Sequence, residues 1–103
     1  MTELTLETIT AKLKEKIAGQ TPFGHTAKFV LQDLGTIVLD GTGPEYLVSN
    51  VDADTEVTLS MSVETFNQLQ NGQLSGMDAF FQGLLTIDGD QSVAMQLGEI
   101  LGL

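Results

Sequence analysis

Between Met77 and Asp90 the chain reads MDAFFQGLLTIDGD, and the other elements can all be placed against this run. Met77, Phe80, Phe81 and Leu84 fall at i, i+3, i+4 and i+7, the spacing of one helical stripe. Ser75 is the predicted N-cap. Asp78 follows three residues later in a capping-box position, where its charge also suits the positive end of the helix dipole. Gly83 stands where a helix end calls for a left-handed residue. Beyond it Leu85 and Ile87 alternate with Thr86 and Asp88 at the period of a half-buried strand, and Gly89-Asp90 turns the chain into a last helix.

The remaining elements follow from the same periodicities. Thr5 caps a helix predicted to reach Ala18, with Leu6, Ile9, Leu13 and Ile17 on one face and Gly19 as the stop. Glu3 and Glu7 near its start, and Lys12, Lys14 and Lys16 toward its end, suit the helix dipole. Thr21-Pro22-Phe23-Gly24 reads as a loop, beside the single histidine, His25. Three segments, Ala27 to Gln32, Thr36 to Asp40 and Tyr46 to about Val51, are predicted as antiparallel strands, with turns at Asp33-Leu34-Gly35 and at Gly41-Thr42-Gly43-Pro44. Apolar residues occupy both phases of the third strand, which leaves its register open. After Asp52-Ala53-Asp54, Val57, Leu59 and Met61 oppose Glu56, Thr58 and Ser60, the pattern of a sheet with one wet and one dry face. Ser62 caps a helix bearing Phe66 and Leu69 that ends near Gly72. Asp90 caps the final helix from Gln91, with Ala94, Leu97 and Leu101 along one side and Val93 and Ile100 beside them. Gly98 and Gly102 should loosen its end.

The run from Asp54 to Leu101 resembles the second half of the sterol carrier protein 2 (SCP2) domain family. The matching pieces are ADTEVTLSMS (Ala53 to Ser62), VETFNQLQNGQL ending at Leu74, AFFQG around Phe80, and LTIDGD followed by Ala94-Met95. The first half is similar in length and strand pattern. Helix, strands, two helices, strand and helix in that order predict an α+β domain. The resemblance implies a five-stranded, mainly antiparallel sheet with helices on one face and an apolar cavity between the layers. A chain of 103 residues is expected to form one domain over residues 1–103.

Charge narrows the partners. Fourteen acidic and four basic side chains give a net charge of −10, with no arginine. Phosphate-backbone binding depends on clustered Lys and Arg, so nucleic acid is not an expected partner. Docking on anionic membranes is disfavoured for the same reason, and stable membrane insertion is not expected because no stretch approaches the roughly 20 apolar residues of a span. With no apolar leader segment at its start, the chain is expected to be cytoplasmic. The family's peroxisomal members end in a Ser-Lys-Leu type tripeptide; this chain ends Leu101-Gly102-Leu103, which implies no such address. The sequence carries no signal of oligomeric state.

Chemistry has few footholds. No cysteine offers a thiol nucleophile, and His25 is the lone base suited to neutral pH, in a loop with no motif around it. Asp88, Asp90, Ser92 and Glu99 match positions 1, 3, 5 and 12 of a calcium loop, but position 6 must be glycine and is Val93. Asp52, Asp54 and Glu56 fail the same template at Val57 and Val63. Gly41-Thr42-Gly43 lacks the lysine and further glycines of a phosphate loop. No catalytic residue, metal or cofactor is therefore expected.

What remains is apolar. Phe66, Leu69, Met77, Phe80, Phe81, Leu84, Met95, Leu97 and Ile100 are expected to bind the ligand, although helix stripes of this kind are also how ordinary cores are built. Methionines 61, 77 and 95 suit a pocket that adapts to its contents and fill gaps in solid cores equally well. The resemblance makes the expected function non-enzymatic lipid binding, in which a sterol, fatty acid or similar lipid is buried between sheet and helices. A headgroup with several phosphates is less expected than a neutral lipid or a single carboxylate, given the scarcity of cations. The alternative is an accessory or scaffold protein of a lipid or quinone biosynthetic pathway, in which the same fold serves as an interaction module.

Overall fold

A computed structural model describes residues 5–32 and 34–101. The expectations for Glu3, Asp33, Gly102 and Leu103 lie outside the described residues. In chain order the elements are α1 (Leu6–Ile17), β1 (Thr26–Leu31), β2 (Gly35–Asp40), β3 (Leu47–Ser49), β4 (Val57–Met61), α2 (Val63–Gln70), α3 (Gly76–Phe81), β5 (Leu85–Gly89) and α4 (Gln91–Leu101).

The strands form one sheet in the order β3-β2-β1-β4-β5. Neighbours run antiparallel except β1 and β4, which are parallel, so the sheet is mixed. Its register sets Phe29 beside both Ile37 and Leu59, and Leu59 beside Ile87. Side chains two apart share a face. Ala27, Phe29, Leu31, Ile37, Leu39, Val57, Leu59 and Met61 are therefore buried together on the dry face, while Lys28, Thr58 and Ser60 point the other way.

Parallel neighbours cannot be joined by a tight hairpin. The chain leaves the edge strand β3 and reaches β4 through residues 50–56, passing over the polar face. Lys28 holds this crossover: its ammonium donates to the Asp52 carboxylate and to the Ala53 carbonyl, each at 2.9 Å. The third strand is shorter than its sequence suggests. Asn50 turns away to donate to the Thr36 carbonyl and the Thr10 hydroxyl, and the Ser49 hydroxyl accepts from the Val51 amide.

The helices cover the dry face. α1 is capped by Thr5, whose hydroxyl accepts from the Thr8 amide while the Thr8 side chain reciprocates, and it buries Ile9, Leu13 and Ile17. α4 buries Val93, Leu97 and Leu101, and α2 buries Phe66 and Leu69. α2 and α3 start on Ser62 and Ser75 hydroxyls, which accept from the Thr65 and Asp78 amides at 3.1 Å. Both end in a left-handed glycine. In α3 the Gly83 amide (φ 76°) donates to the Phe80 carbonyl and the Leu84 amide to the Ala79 carbonyl, closing the last turn with two nested bonds.

This closure corrects one expectation. α3 stops at Phe81, so Leu84 lies beyond the helix and does not extend its stripe. Ala79 is the buried residue of α3, and the large side chains of that helix stand outside the core. Among the described residues no helix is long and apolar enough to cross a membrane.

Candidate functional site

α4 carries two stripes. Val93, Leu97 and Leu101 face the core, while Gln91, Ala94, Met95, Gly98 and Glu99, at i, i+3, i+4, i+7 and i+8, face a hollow between α4, α3 and the sheet. The hollow has a volume of about 400 Å³. Phe29, Leu59, Met61, Leu85 and Ile87 form its floor, Leu69 and Leu97 its inner wall, and Gly76, Met77, Phe80 and Phe81 the opposite rim. The space exists because α4 presents small residues here: a Cβ added at Gly98 would meet no heavy atom within 4 Å.

The rim is apolar and uncovered. Phe81 is 77% exposed, Met95 71%, Met77 69% and Phe80 43%. Isolated exposed apolar residues are ordinary; here four border one hollow. Phe80 and Phe81 lie edge to face, with ring centroids 6.0 Å apart.

The structure thus brings Leu69, Met77, Phe80, Phe81, Met95 and Leu97 around one space and leaves Phe66, Leu84 and Ile100 out of its lining. Phe66 is buried in the core against Phe29, outside the lining. Leu84 follows the helix end, 42% exposed. Ile100 packs against the core from the far side of α4, half-buried. The floor residues were absent from the expected set, although strand alternation had put them on the dry face. Ala94 and Gly98 were missed because small residues contribute little to an apolar stripe, yet they create the space.

The polar clusters have structural work. The Asp90 carboxylate accepts from the Ser92 amide at 2.9 Å and the Val93 amide at 3.4 Å, capping α4. Hydrogen bonds from Ser92 and then Val93 hold its carboxyl below the usual carboxylate range. Gly89, at φ 113°, lets β5 pass the Glu56 carbonyl so closely that a side chain would collide with it. His25 bonds through Nδ1 to the Glu56 carboxylate at 3.1 Å. That carboxylate also accepts from the Thr26 amide, which is the main reason its affinity for a proton is lowered. Among the described residues no three His, Cys, Asp or Glu side chains gather as a metal site.

A second hollow of about 600 Å³ lies between the end of α1 and residues 44–48. It is lined by Lys14, Gln20, Thr21 and Glu45 as much as by Ile17, Tyr46 and Val48 and lies away from the rim of exposed Met and Phe side chains.

Comparison with known proteins gives the fold a family. Sterol carrier protein 2 like 2 from Aedes aegypti superposes with a TM-score of 0.75 at 22% identity, covering 91% of this chain and 94% of that one. Aedes aegypti sterol carrier protein-2, solved in complex with the C16 fatty acid palmitate, gives 0.75 at 20% identity over 98% of this chain and 96% of that one. The ubiquinone synthesis protein UbiJ-SCP2 gives 0.64 at 13% identity, over 94% and 77%. At these identities the likeness speaks for the fold alone. No match emerges among curated proteins. The description of the SCP-2 sterol transfer family, however, fits residues 6–102, nearly the whole length, and the chain belongs to that family.

Proposed function

We propose that this chain is a non-enzymatic carrier that shelters one long-chain apolar ligand in the hollow between the sheet and helices α2, α3 and α4. The observation that carries the reading is the combination of an apolar space of about 400 Å³ with a rim of exposed Met77, Phe81 and Met95. That volume lies within the roughly 300–1,000 Å³ of small-molecule sites. Each methylene taken out of water contributes about 0.8 kcal/mol before the costs of ordering, so an acyl or isoprenoid chain needs few polar contacts to bind. Ligand contact would also cover the rim side chains. The palmitate complex of the Aedes aegypti protein supports the same use of the fold.

Native mass spectrometry of protein purified without detergent tests the proposal. A co-purifying lipid, displaced in competition with an added long-chain ligand, is the expected result. The likeness to UbiJ-SCP2 favours one other reading, an accessory module whose apolar rim meets a protein partner. A ligand-free protein that takes up no fatty acid, fatty alcohol or sterol would decide for that reading.

A further inference from the structure

We propose that the hollow selects ligands with an uncharged polar end and discriminates against carboxylates and phosphates; this rests on the lipid-binding reading above. Among the described residues the only ionisable side chain lining it is Glu99, and the other polar one is the neutral amide of Gln91. These two stand eight positions apart on the pocket stripe of α4, about 12 Å along the helix. A ligand head emerging toward either end of α4 meets an amide or a negative charge. Gln91 can donate to a hydroxyl or an ester and accept from a hydroxyl, whereas Glu99 repels an anion.

Among the described residues no lysine lines the hollow. Lys12, Lys14 and Lys16 belong to α1; Lys14 lines the separate hollow beside Tyr46, and the Lys16 ammonium donates to the Gln70 carbonyl at 3.2 Å. Lys28 points to the opposite face of the sheet, where it is bonded to Asp52 and Ala53. Helix N-termini could also attract an anion, and those of α3 and α4 reach the hollow at Gly76 and Gln91. Both are already capped from within the chain: Ser75 accepts from the Asp78 amide, and the Asp90 carboxylate occupies the Ser92 and Val93 amides. Asp90 therefore adds a negative charge where an anionic head would otherwise gain. The surrounding field, with a net charge of −10, acts in the same direction.

The test compares tetradecanol with tetradecanoate at pH 8 in low salt, each below its aggregation limit, by displacement of one uncharged fluorescent lipid. The alcohol should bind at least about tenfold more tightly, the size expected of like charges a few ångströms apart near a surface, and the gap should narrow in 1 M salt. Glu99→Lys should shrink or reverse the preference, with a urea unfolding midpoint confirming that the variant folds. Equal or tighter binding of tetradecanoate to the wild type would overturn the inference while leaving lipid binding intact. If neither compound binds, the lipid-binding reading itself falls, and this inference with it.

Discussion

Phe66 meets Phe29 edge to face, with ring centroids 5.1 Å apart and planes at 61°. Phe29 forms part of the floor of the hollow, and Phe66 of α2 packs on the same dry face beside it without entering the lining. Phe66 is 1% exposed, and its truncation leaves a void that closely packed neighbours cannot close. Phe66→Ala should lose about 3–5 kcal/mol in urea unfolding. Phe81, at 77% exposed, should behave in the opposite way. Phe81→Ala is expected to stay within about 0.5 kcal/mol of the wild type while weakening uptake of a fluorescent lipid. A large loss of stability for Phe81→Ala would place that ring in the core.

Gly98 allows stability and capacity to be separated. A Cβ at this position enters open space, and alanine is the better helix former by roughly 1 kcal/mol. Gly98→Ala should therefore raise the urea midpoint. Gly98→Leu should fold at least as well as the wild type but fill part of the hollow, so that lipid uptake falls several-fold. Uptake unchanged in Gly98→Leu, with the fold intact, would mean that the ligand lies elsewhere.

The reach of sequence reasoning can be judged from these residues. Alternation in Val57 to Met61 and the i, i+3, i+4 spacing of Met77, Phe80 and Phe81 are local properties; the dry face of the sheet followed from the first, whereas the exposure of the three α3 side chains did not follow from the second. The end of α3 was legible in principle, because Gly83 announces it, but carrying the stripe on to Leu84 ignored that stop. Phe66 and Leu69 share one helix and one apolar character, and periodicity cannot say that Leu69 borders a space while Phe66 is packed into the core. The parallel pairing of β1 with β4 sets Ala27 beside Val57, and the return of the chain over Lys28 depends on residues 24 and 25 positions apart. No local period encodes such contacts.

The crossover offers a pH test. The Lys28 ammonium, bonded to Asp52 and attracting it by charge, holds the Asp52 carboxyl below its ordinary value of 3.8. A carboxylate with a lowered folded-state pKa adds stability that is present above its unfolded value and is lost as pH falls through the folded one. Asp52→Asn should therefore be less stable than the wild type from pH 5 to pH 7, by a constant margin. As pH falls from about 3.8 the margin should narrow, closing below the folded-state value, and because Asp52 is exposed, added salt should also narrow it. A margin that neither acid nor salt changes would show that Asp52 acts through its shape rather than its charge.

The C-terminal helix connects fold and function most directly. α4 is held on one stripe by Val93, Leu97 and Leu101, while its other stripe borders the hollow. Near its end the Gln20 amide donates to the Ile100 carbonyl at 3.1 Å and to the Lys16 carbonyl at 2.7 Å, a clasp between α1 and α4 that the sequence does not announce. Local opening starts from the least stable parts of a fold, and a helix with a half-empty flank is such a part. A bound ligand would supply the missing contacts along Ala94, Met95 and Gly98 and favour the closed position by its differential affinity for it. Amide exchange in Gln96 to Leu101 should accordingly be faster than in Val57 to Met61 for the free protein, and should slow when tetradecanol is added. Gln20→Ala should accelerate exchange in the same segment without altering β4. Protection of α4 equal to that of β4, and unchanged by a lipid shown to bind, would fix the helix as part of the scaffold and move the entrance to the rim around Phe81.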